Sequence, residues 1–439
     1  MTDSPRGVAV DALLRIEDGA FAHLVLPSML RQRDLTRRDR GLVTELVYGT
    51  TRLRRTVDYL LAKVSARPLE TLDPPVRAAL RLGGYQLLLG VPPHAAVGET
   101  VEVVDSRTRP FVNGVLRALA RSGPPWPLPV GDSIEAIGVR TSHPDWIVQT
   151  LVDEYGPVDA LATLVLDNEA PSVTLRVNRS RATAAQVESE LVEAGVHIEH
   201  GGLMADALVL QKPGDIAALA PVRDGRATPQ DQASQAVVAL LDPRPEEAVI
   251  DVAAAPGGKA TAAAECMESA GVVVAADLYP ARVRALARAV HRLGLDHVVV
   301  PVAADGRALP VRDGAFHRVL LDAPCSGLGV LRRRPDARWR IGASDVAGLA
   351  RLQQQLLVAA ARALRPGGRL VYSVCTLTRE ETLGVDQWAE QHLPELTARP
   401  APPAPWRPHG RGALLLPSAA NTDGMFVLVL ERRLYPPDR

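Results

Sequence analysis

A chain of 439 residues is too long for one ordinary core and calls for two or three domains. With 47% hydrophobic and 23% charged residues it has the balance of a folded globular protein, which excludes a disordered chain. Formal net charge is zero, so the chain as a whole does not announce a nucleic-acid binder.

No apolar run approaches the ~18 residues needed to cross a bilayer, and no membrane partner is expected. Met1-Thr2-Asp3-Ser4-Pro5-Arg6 lacks the apolar core of a signal peptide, so a cytoplasmic protein is expected. Cys266, Cys325 and Cys375 are the cysteines, with no CxxC pair, which argues against a disulfide framework or a structural zinc site. Lysine occurs only at Lys63, Lys212 and Lys259 in an arginine-rich chain, so a lysine that persists carries some information.

Residues 1–125 read as helix after helix. Leu42, Val43, Leu46 and Val47 lead on to Leu53, Val57, Leu60 and Leu61 at a 3.6-residue rhythm. Val76, Ala79, Leu80, Leu87 and Leu88 repeat it, then Val97, Val101 and Val104, then Phe111, Val112, Val115, Leu116 and Leu119. No alternating pattern interrupts them, which predicts an all-α domain. This stretch carries 18 Lys+Arg against 13 Asp+Glu, whereas the rest carries 32 against 37. Arg31, Arg33, Arg37, Arg38 and Arg40, then Arg52, Arg54 and Arg55, form basic runs that fit either phosphate neutralisation or a solvated surface.

Gly123-Pro124-Pro125-Trp126-Pro127-Leu128-Pro129 stops helix, and 126–140 reads as a Pro-rich, semi-rigid linker. Residues 141–227 predict a small α+β domain. A helix is expected over 146–155, a strand through Val173, Leu175 and Val177, a helix around Val187 and Leu191, and a strand over 207–210.

From 228 to 439 the pattern becomes strand, turn, helix. Short apolar runs at 248–252, 272–276, 298–304, 319–321 and 370–372, with a last one at 425–430, predict a doubly wound α/β domain. Its sheet is expected to be parallel and covered on both faces.

Ligands of such sheets sit beyond the carboxyl ends of the strands. Here those ends carry Ala253-Ala254-Ala255-Pro256-Gly257-Gly258-Lys259, then Asp277, Asp305, Asp322 with Cys325, and Cys375, so one site is expected at one edge. The Gly turn fits neither G-x-G-x-x-G nor the P-loop pattern, and alone it is also a plain β–α connection. Asp277 stands where a carboxylate can accept ribose hydroxyls, or cap a helix; Asp305-Gly306 could lie near an adenine or be an ordinary turn. A lone cysteine is usually a small buried hydrophobe, which is the expectation for Cys266. Two cysteines at neighbouring strand ends point to catalysis, with a transient disulfide or metal pair as the rival. No His or further Cys completes a ligand set, and no metal is expected.

Ala254-Ala255-Pro256-Gly257-Gly258-Lys259, Asp322-Ala323-Pro324-Cys325 and Tyr372-Ser373-Val374-Cys375 together resemble the RNA cytosine-5 methyltransferases. Gln230-Asp231-Gln232-Ala233-Ser234-Gln235 is similar to that family too. Phe111-Val112-Asn113-Gly114-Val115-Leu116-Arg117 resembles the signature of NusB-like domains, which narrows the branch to the bacterial Sun (RsmB) type. His143-Pro144-Asp145-Trp146 and Leu175-Arg176-Val177-Asn178 fit that branch's middle region, so the resemblance spans nearly the whole chain. Ala253 stands where many relatives have Cys, Ala260 where they have Thr, and Arg379-Glu380-Glu381-Thr382 where Pro-Glu-Glu-Asn is frequent.

The resemblance implies a Rossmann-like domain binding S-adenosylmethionine over Ala253 to Lys259, with Asp277 on its ribose and Asp305 and Asp322 also lining the site; Arg282 is a further candidate. It implies that Cys375 attacks carbon 6 of a cytosine, that Asp322 stabilises charge at ring nitrogen 3, and that Cys325 assists proton loss and release. Lys259 would orient Asp322 or the nucleophile. The substrate implied is RNA, most often small-subunit ribosomal RNA, handled by a monomer. Arg332-Arg333-Arg334 near Trp339 could grip the backbone or be solvated surface. The rivals are a transfer-RNA methyltransferase, a non-catalytic NusB-like RNA-binding factor, and a nicotinamide-dependent oxidoreductase that the Gly-turn spacing disfavours.

Overall fold

A computed structural model describes residues 4–211 and 213–434; residues 1–3, Lys212 and residues 435–439, with the readings that touch them, lie outside the described residues. The chain divides into two compact units, Met1–Ala170 with Leu331–Ala343, and Pro171–Val330 with Ser344–Arg439.

The first unit is helical, as expected. It runs α1 (Pro5–Glu17), α2 (Ala22–Arg31), α3 (Arg37–Arg52), α4 (Arg54–Ala62), α5 (Pro74–Leu88), α6 (Pro93–Val101) and α7 (Arg109–Ser122). Ser4 and Thr36 cap α1 and α3 by accepting from the Gly7 and Asp39 N–H groups. The periodic residues meet in one core, among them Val43, Leu46, Val57, Leu60, Leu80, Val112 and Leu116. At Gly49 a Cβ would stand 2.1 Å from the Tyr85 ring, so only glycine lets α3 meet α5 there. Residues 124–133 carry neither helix nor strand. The helix α8 (Ile134–Thr141) then starts inside the stretch read as a linker, because Ser133 caps it through the Ala136 N–H. α9 (Asp145–Leu166) runs past the expected end and breaks at Gly156, whose φ is 76°.

The segment 331–343, though flanked in sequence by the other unit, packs here. Arg338 is buried and donates to the carbonyl oxygens of Ser142 at 3.0 Å, Asp167 at 3.2 Å and Arg52 at 3.3 Å, and to Asn168 Oδ1 at 3.0 Å. Those carbonyls terminate α8, α9 and α3, where a helix leaves acceptors without intrahelical partners and concentrates partial negative charge. Burial pulls the Arg338 pKa down to about 9, with Asp167 opposing. His143, 3.5 Å from Asp167, is held neutral by burial and by the Arg338 charge. This corrects two readings of basic surface. Arg52 and Arg332 are buried, Arg52 bonding the Arg332 carbonyl and Arg332 the Ala170 carbonyl. A run of like charges in sequence does not reveal which members point at helix ends. Arg31, Arg37 and Arg38 remain exposed.

The second unit starts with an antiparallel sheet of order β2-β3-β1-β4. It is built from β1 (Val173–Val177), α10 (Ala184–Glu193), β2 (His197–His200), β3 (Leu208–Gln211), α11 (Ala220–Arg223) and β4 (Ala227–Pro229). β2 and β4 escape the sequence reading because they offer one large apolar residue, Ile198, and a Pro-terminated triplet.

Next come α12 (Gln232–Leu241), β5 (Ala248–Asp251), α13 (Gly258–Cys266), β6 (Val272–Asp277), α14 (Pro280–Leu293), β7 (Val299–Ala303), β8 (Phe316–Asp322), α15 (Ala343–Ala363), β9 (Leu364–Val374) and α16 (Leu383–His392). β10 (Leu396–Ala398), β11 (Arg407–His409), β12 (Gly412–Leu415) and β13 (Met425–Arg432) complete the chain. The large sheet has the order β11-β12-β13-β9-β8-β5-β6-β7, with β10 on β13. β9, β8, β5, β6 and β7 are parallel, whereas β13, β12 and β11 add antiparallel pairings. The sheet is therefore mixed, correcting the expectation of a purely parallel one. A continuous apolar run such as 425–430 records burial on both faces and says nothing of direction. Strand order reverses between β5 and β8, the switch point where an α/β sheet opens a crevice.

Candidate functional site

The turn after β5 carries the first group of expected site residues. Gly257 has a φ of 106°, which favours glycine, and a Cβ there would come 3.0 Å from the Leu286 side chain. Gly257 also caps α13 without a side-chain acceptor for its first turn, so those N–H groups remain for a ligand. Ala254 and Ala255 are buried. From β1, Arg176 makes a two-pronged pair with Glu265 at 2.8 and 2.9 Å and donates to Thr261 Oγ1 and the Gly258 carbonyl, fixing the start of α13.

Asp277, at the end of β6, is tied to this turn. Its Oδ2 accepts from the Ala255 N–H at 3.3 Å and its Oδ1 from the Tyr279 N–H at 3.1 Å. Arg282 lies 3.3 Å from Asp277 Oδ2 and donates to the Ala255 carbonyl at 2.7 Å, so it belongs to the same cluster. Asp305 follows β7, but its carboxylate is engaged by the Arg307 side chain and N–H, which hold it below the usual range. The Ala304 N–H bonds the Asp277 carbonyl, so these two strand ends adjoin.

The second group is more tightly joined. Lys259 Nζ lies 2.7 Å from Asp322 Oδ2 and 3.4 Å from Ser234 Oγ. Burial pulls the Lys259 ammonium down, but Asp322, with Cys375 and Asp251 adding, more than offsets it and leaves the pKa raised. Ser373 Oγ donates to Asp322 Oδ1 at 2.8 Å. The sulfurs of Cys325 and Cys375 are 3.4 Å apart. The Cys325 thiol is pushed well above its ordinary range, first by its hydrogen bond to Cys375, then by burial and by the charges of Cys375, Glu381 and Asp322. The Cys375 turn is pinned by its carbonyl, which accepts from Gly329 N–H at 3.0 Å, while the Gly329 carbonyl accepts from Gly424 N–H at 2.7 Å.

Cys266 stands apart from all of this. It is exposed at the end of α13, not buried as expected, on the solvent side of the helix end, between buried Glu265 and buried Met267.

Four polar residues of the site went unassigned in the sequence reading. Asp251 is buried with no side-chain hydrogen-bond partner and only the Ala253 backbone N–H near it; burial, helped by the Asp322 charge, pushes its carboxyl up to about 8. A buried carboxyl so sparsely paired is costly and is what a cationic ligand group would complete. Ser234 lies in the quoted Gln-rich stretch, Ser373 beside Cys375, and Glu381 in the segment set aside as a departure. Asp251 and Ser373 carried a signal, a polar residue among apolar ones near the end of a strand, whereas Ser234 in α12 and Glu381 in the loop before α16 carried none.

Comparison with known proteins follows the same order along the chain. Residues 238–431 match the family described as "16S rRNA methyltransferase RsmB/F", residues 3–121 the "NusB family", and residues 143–217 the "Methyltr_RsmF/B-like, ferredoxin-like domain". A Bacillus subtilis (strain 168) protein described as "Probable ribosomal RNA small subunit methyltransferase B" is 36% identical, covering 98% of this chain and 99% of its own. A "Ribosomal RNA small subunit methyltransferase B" from Pseudomonas syringae pv. tomato is 35% identical over 96% of both. Among solved structures, "Crystal Structure of PH0851" matches with a TM-score of 0.84 and 26% identity, covering 98% of this chain and 100% of that one.

Proposed function

The chain belongs to the RsmB/F family of 16S rRNA methyltransferases, and from that premise we propose that it moves a methyl group from S-adenosylmethionine to carbon 5 of a cytosine in small-subunit ribosomal RNA, with Cys375 as nucleophile. One observation carries the residue assignment: two sulfurs 3.4 Å apart, at the ends of adjacent strands, beside a buried lysine–aspartate pair.

The residues present fit the donor. S-adenosylmethionine, when bound, supplies an electrophilic sulfonium methyl. The uncapped start of α13 and the small residues Ala253 to Gly258 accept it closely, Asp277 takes the ribose hydroxyls, Asp305 borders the adenine, and the buried Asp251 carboxyl, which no side chain hydrogen-bonds, takes an ammonium.

Cytosine carbon 5 is too weak a nucleophile to take the methyl directly. Attack of the Cys375 sulfur on carbon 6 turns the ring into an enamine with electron density at carbon 5, splitting one hard step into two. The proton that the Cys375 thiol gives up is shared between the Asp322 carboxyl and ring nitrogen 3, where it meets the negative charge that builds there, and Lys259 and Ser373 hold Asp322 in place. A positioned acid of this kind contributes roughly 10²–10⁴-fold. Cys325 then takes the proton from carbon 5. In the free protein its proton is held chiefly by the contact with Cys375. Once the Cys375 sulfur is bonded to the ring, that cause disappears and the thiol becomes more acidic when a base is needed.

The target base must leave its stack to reach these groups, which favours a loop or unfolded RNA segment. Residues 1–125, with Arg31, Arg37 and Arg38 exposed, would hold RNA phosphates from the helical unit. No helix among the described residues is long and apolar enough to cross a membrane.

The test is transfer of radiolabelled methyl from S-adenosylmethionine to deproteinised ribosomal RNA and to transfer RNA, with mapping of the modified base. Label on cytosine carbon 5 of small-subunit RNA is expected. Label on a nitrogen or a ribose would reject cysteine chemistry, and label on transfer RNA alone would reject the substrate.

A further inference from the structure

Glu381 is fully buried at the start of the segment leading into α16, and its hydrogen-bond partners are neutral N–H and O–H groups. A carboxylate in such surroundings is costly unless its lone pairs are satisfied. Here they are. Oε1 accepts from the Ser326 N–H at 2.9 Å and from Gln353 Nε2 at 2.9 Å; Oε2 accepts from the Ser326 hydroxyl and from Thr378 Oγ1 at 2.7 Å. The Glu381 carbonyl accepts from the Tyr372 hydroxyl at 2.7 Å, which also reaches Gln353 Oε1 at 2.9 Å.

What these donors have in common is their place beside the two sulfurs. Ser326 follows Cys325 directly, and Thr376, which follows Cys375, hydrogen-bonds the Ser326 hydroxyl. Gln353 donates in addition to the carbonyl of Pro324, which precedes Cys325. One carboxylate therefore gathers the turn after β8 from both sides of Cys325 and links it to the turn after β9. Ser326, Gln353, Tyr372, Thr376 and Thr378 are all buried, so the arrangement is shielded from water.

We propose that Glu381 is a positioning residue that holds Cys325 against the carbon–sulfur bond formed by Cys375, and so controls release of the methylated RNA. It acts through Ser326 and touches no reacting atom itself. In the release step Cys325, as the thiolate left once its own proton has passed to solvent, takes the proton from carbon 5, and the electrons of that carbon–hydrogen bond form the carbon 5–carbon 6 double bond as the carbon 6–sulfur bond breaks with its electron pair on Cys375. A Cys325 turn freed from Glu381 would leave that proton in place and the RNA attached. The inference rests on the roles proposed above for the two cysteines.

The experiment compares wild type, Cys325→Ala, Glu381→Ala and Glu381→Gln with S-adenosylmethionine and the RNA substrate. It follows methyl incorporated, the RNA–protein adduct that survives denaturation, and melting temperature. Glu381→Ala should lower kcat roughly 10²-fold, leave KM for S-adenosylmethionine within about twofold, and accumulate adduct as Cys325→Ala does. Glu381→Gln, which offers one oxygen to the N–H donors and an amide to hydroxyls that can rotate, should restore most of the rate and clear the adduct. Loss of rate without adduct in Glu381→Ala, while Cys325→Ala accumulates it, overturns the proposal; so does a Gln variant as impaired as the Ala variant. If Glu381→Ala fails to fold, Glu381→Asp takes its place with the same two outcomes.

If Cys325→Ala yields no adduct, the cysteine roles have failed instead, and thiol proximity decides for Glu381. Phenylarsine oxide condenses with two adjacent thiols and releases water. It should be retained by wild type and lost from Glu381→Ala; equal retention by both overturns the proposal.

Discussion

Cys325 and Cys375 are 50 residues apart in sequence, yet their sulfurs lie 3.4 Å from each other because β8 and β9 are adjacent parallel strands in which Asp322 pairs with Ser373. Each thiol leaves the sheet at the same level, which suits the proposed roles of one forming a bond to the base and the other helping to break it. Cys375→Ala should lower methyl transfer by about 10⁴-fold or more, with no adduct and an unchanged melting temperature. Cys325→Ala should instead collect a denaturation-resistant RNA–protein band. Normal turnover by Cys325→Ala together with trapping by Cys375→Ala would reverse the two roles.

The Cys325 thiol keeps its proton to unusually high pH, and the contact with Cys375 is the first cause. Removing that contact lowers its pKa, although burial, Glu381 and Asp322 still hold it above the ordinary range. Iodoacetamide labelling of Cys325, read by peptide mass spectrometry across a pH series, should therefore rise at lower pH in Cys375→Ala than in wild type. Coincident titration curves would mean the two sulfurs do not communicate.

Asp251 should destabilise the protein as pH rises. Its carboxyl is pushed from 3.8 up to about 8 by burial, so the folded chain keeps a proton that the unfolded chain has lost. The stability this gives is complete at acid pH and is lost as pH climbs through about 8. Asp251→Asn should accordingly melt close to wild type near pH 4 and above it near pH 9, by roughly 5 °C. A gap that does not change with pH would contradict the sign.

Lys259 joins the turn after β5 to Asp322, so in the proposed chemistry its charge and its reach both matter. Lys259→Met should cut kcat/KM roughly 10²-fold while the protein stays folded. Arginine should not substitute, since a planar fork does not fit the space of a compact ammonium. Wild-type rates in either variant would remove Lys259 from the chemistry.

Arg338→Ala would strip donors from three helix-end carbonyls and from Asn168, and should cost about 3–5 kcal/mol of stability in urea titration. Arg338→Lys, with three donors where arginine has five, should recover only part of that.

Much of the architecture could be read from spacing alone. The helical rhythm of residues 42–61 and 112–119 appears as one packed core, and each apolar run ending in Asp277, Asp322 or Cys375 is a strand opening onto the crevice. Spacing works where burial repeats with a fixed period. It says nothing of strand direction, which is why the antiparallel β13 went unforeseen, nor of polar groups that become buried by pairing. Arg338 and Glu381 are of the latter kind: their partners come from far along the chain, and neither makes a pattern with its neighbours in sequence. Cys266 failed for a local reason, since a helix of small residues does not mark which of its sides meets solvent.

Residues 331–343 count with the helical bundle although the chain reaches them only after building most of the other unit's strands. A gene shortened to its first 170 codons would encode every helix from α1 to α9 but not the guanidinium that closes three of them. Swapping that portion between relatives by a single crossover would likewise pair one ancestor's helix ends with another's arginine. Two crossovers, the second bracketing 331–343, would be required to exchange the bundle intact.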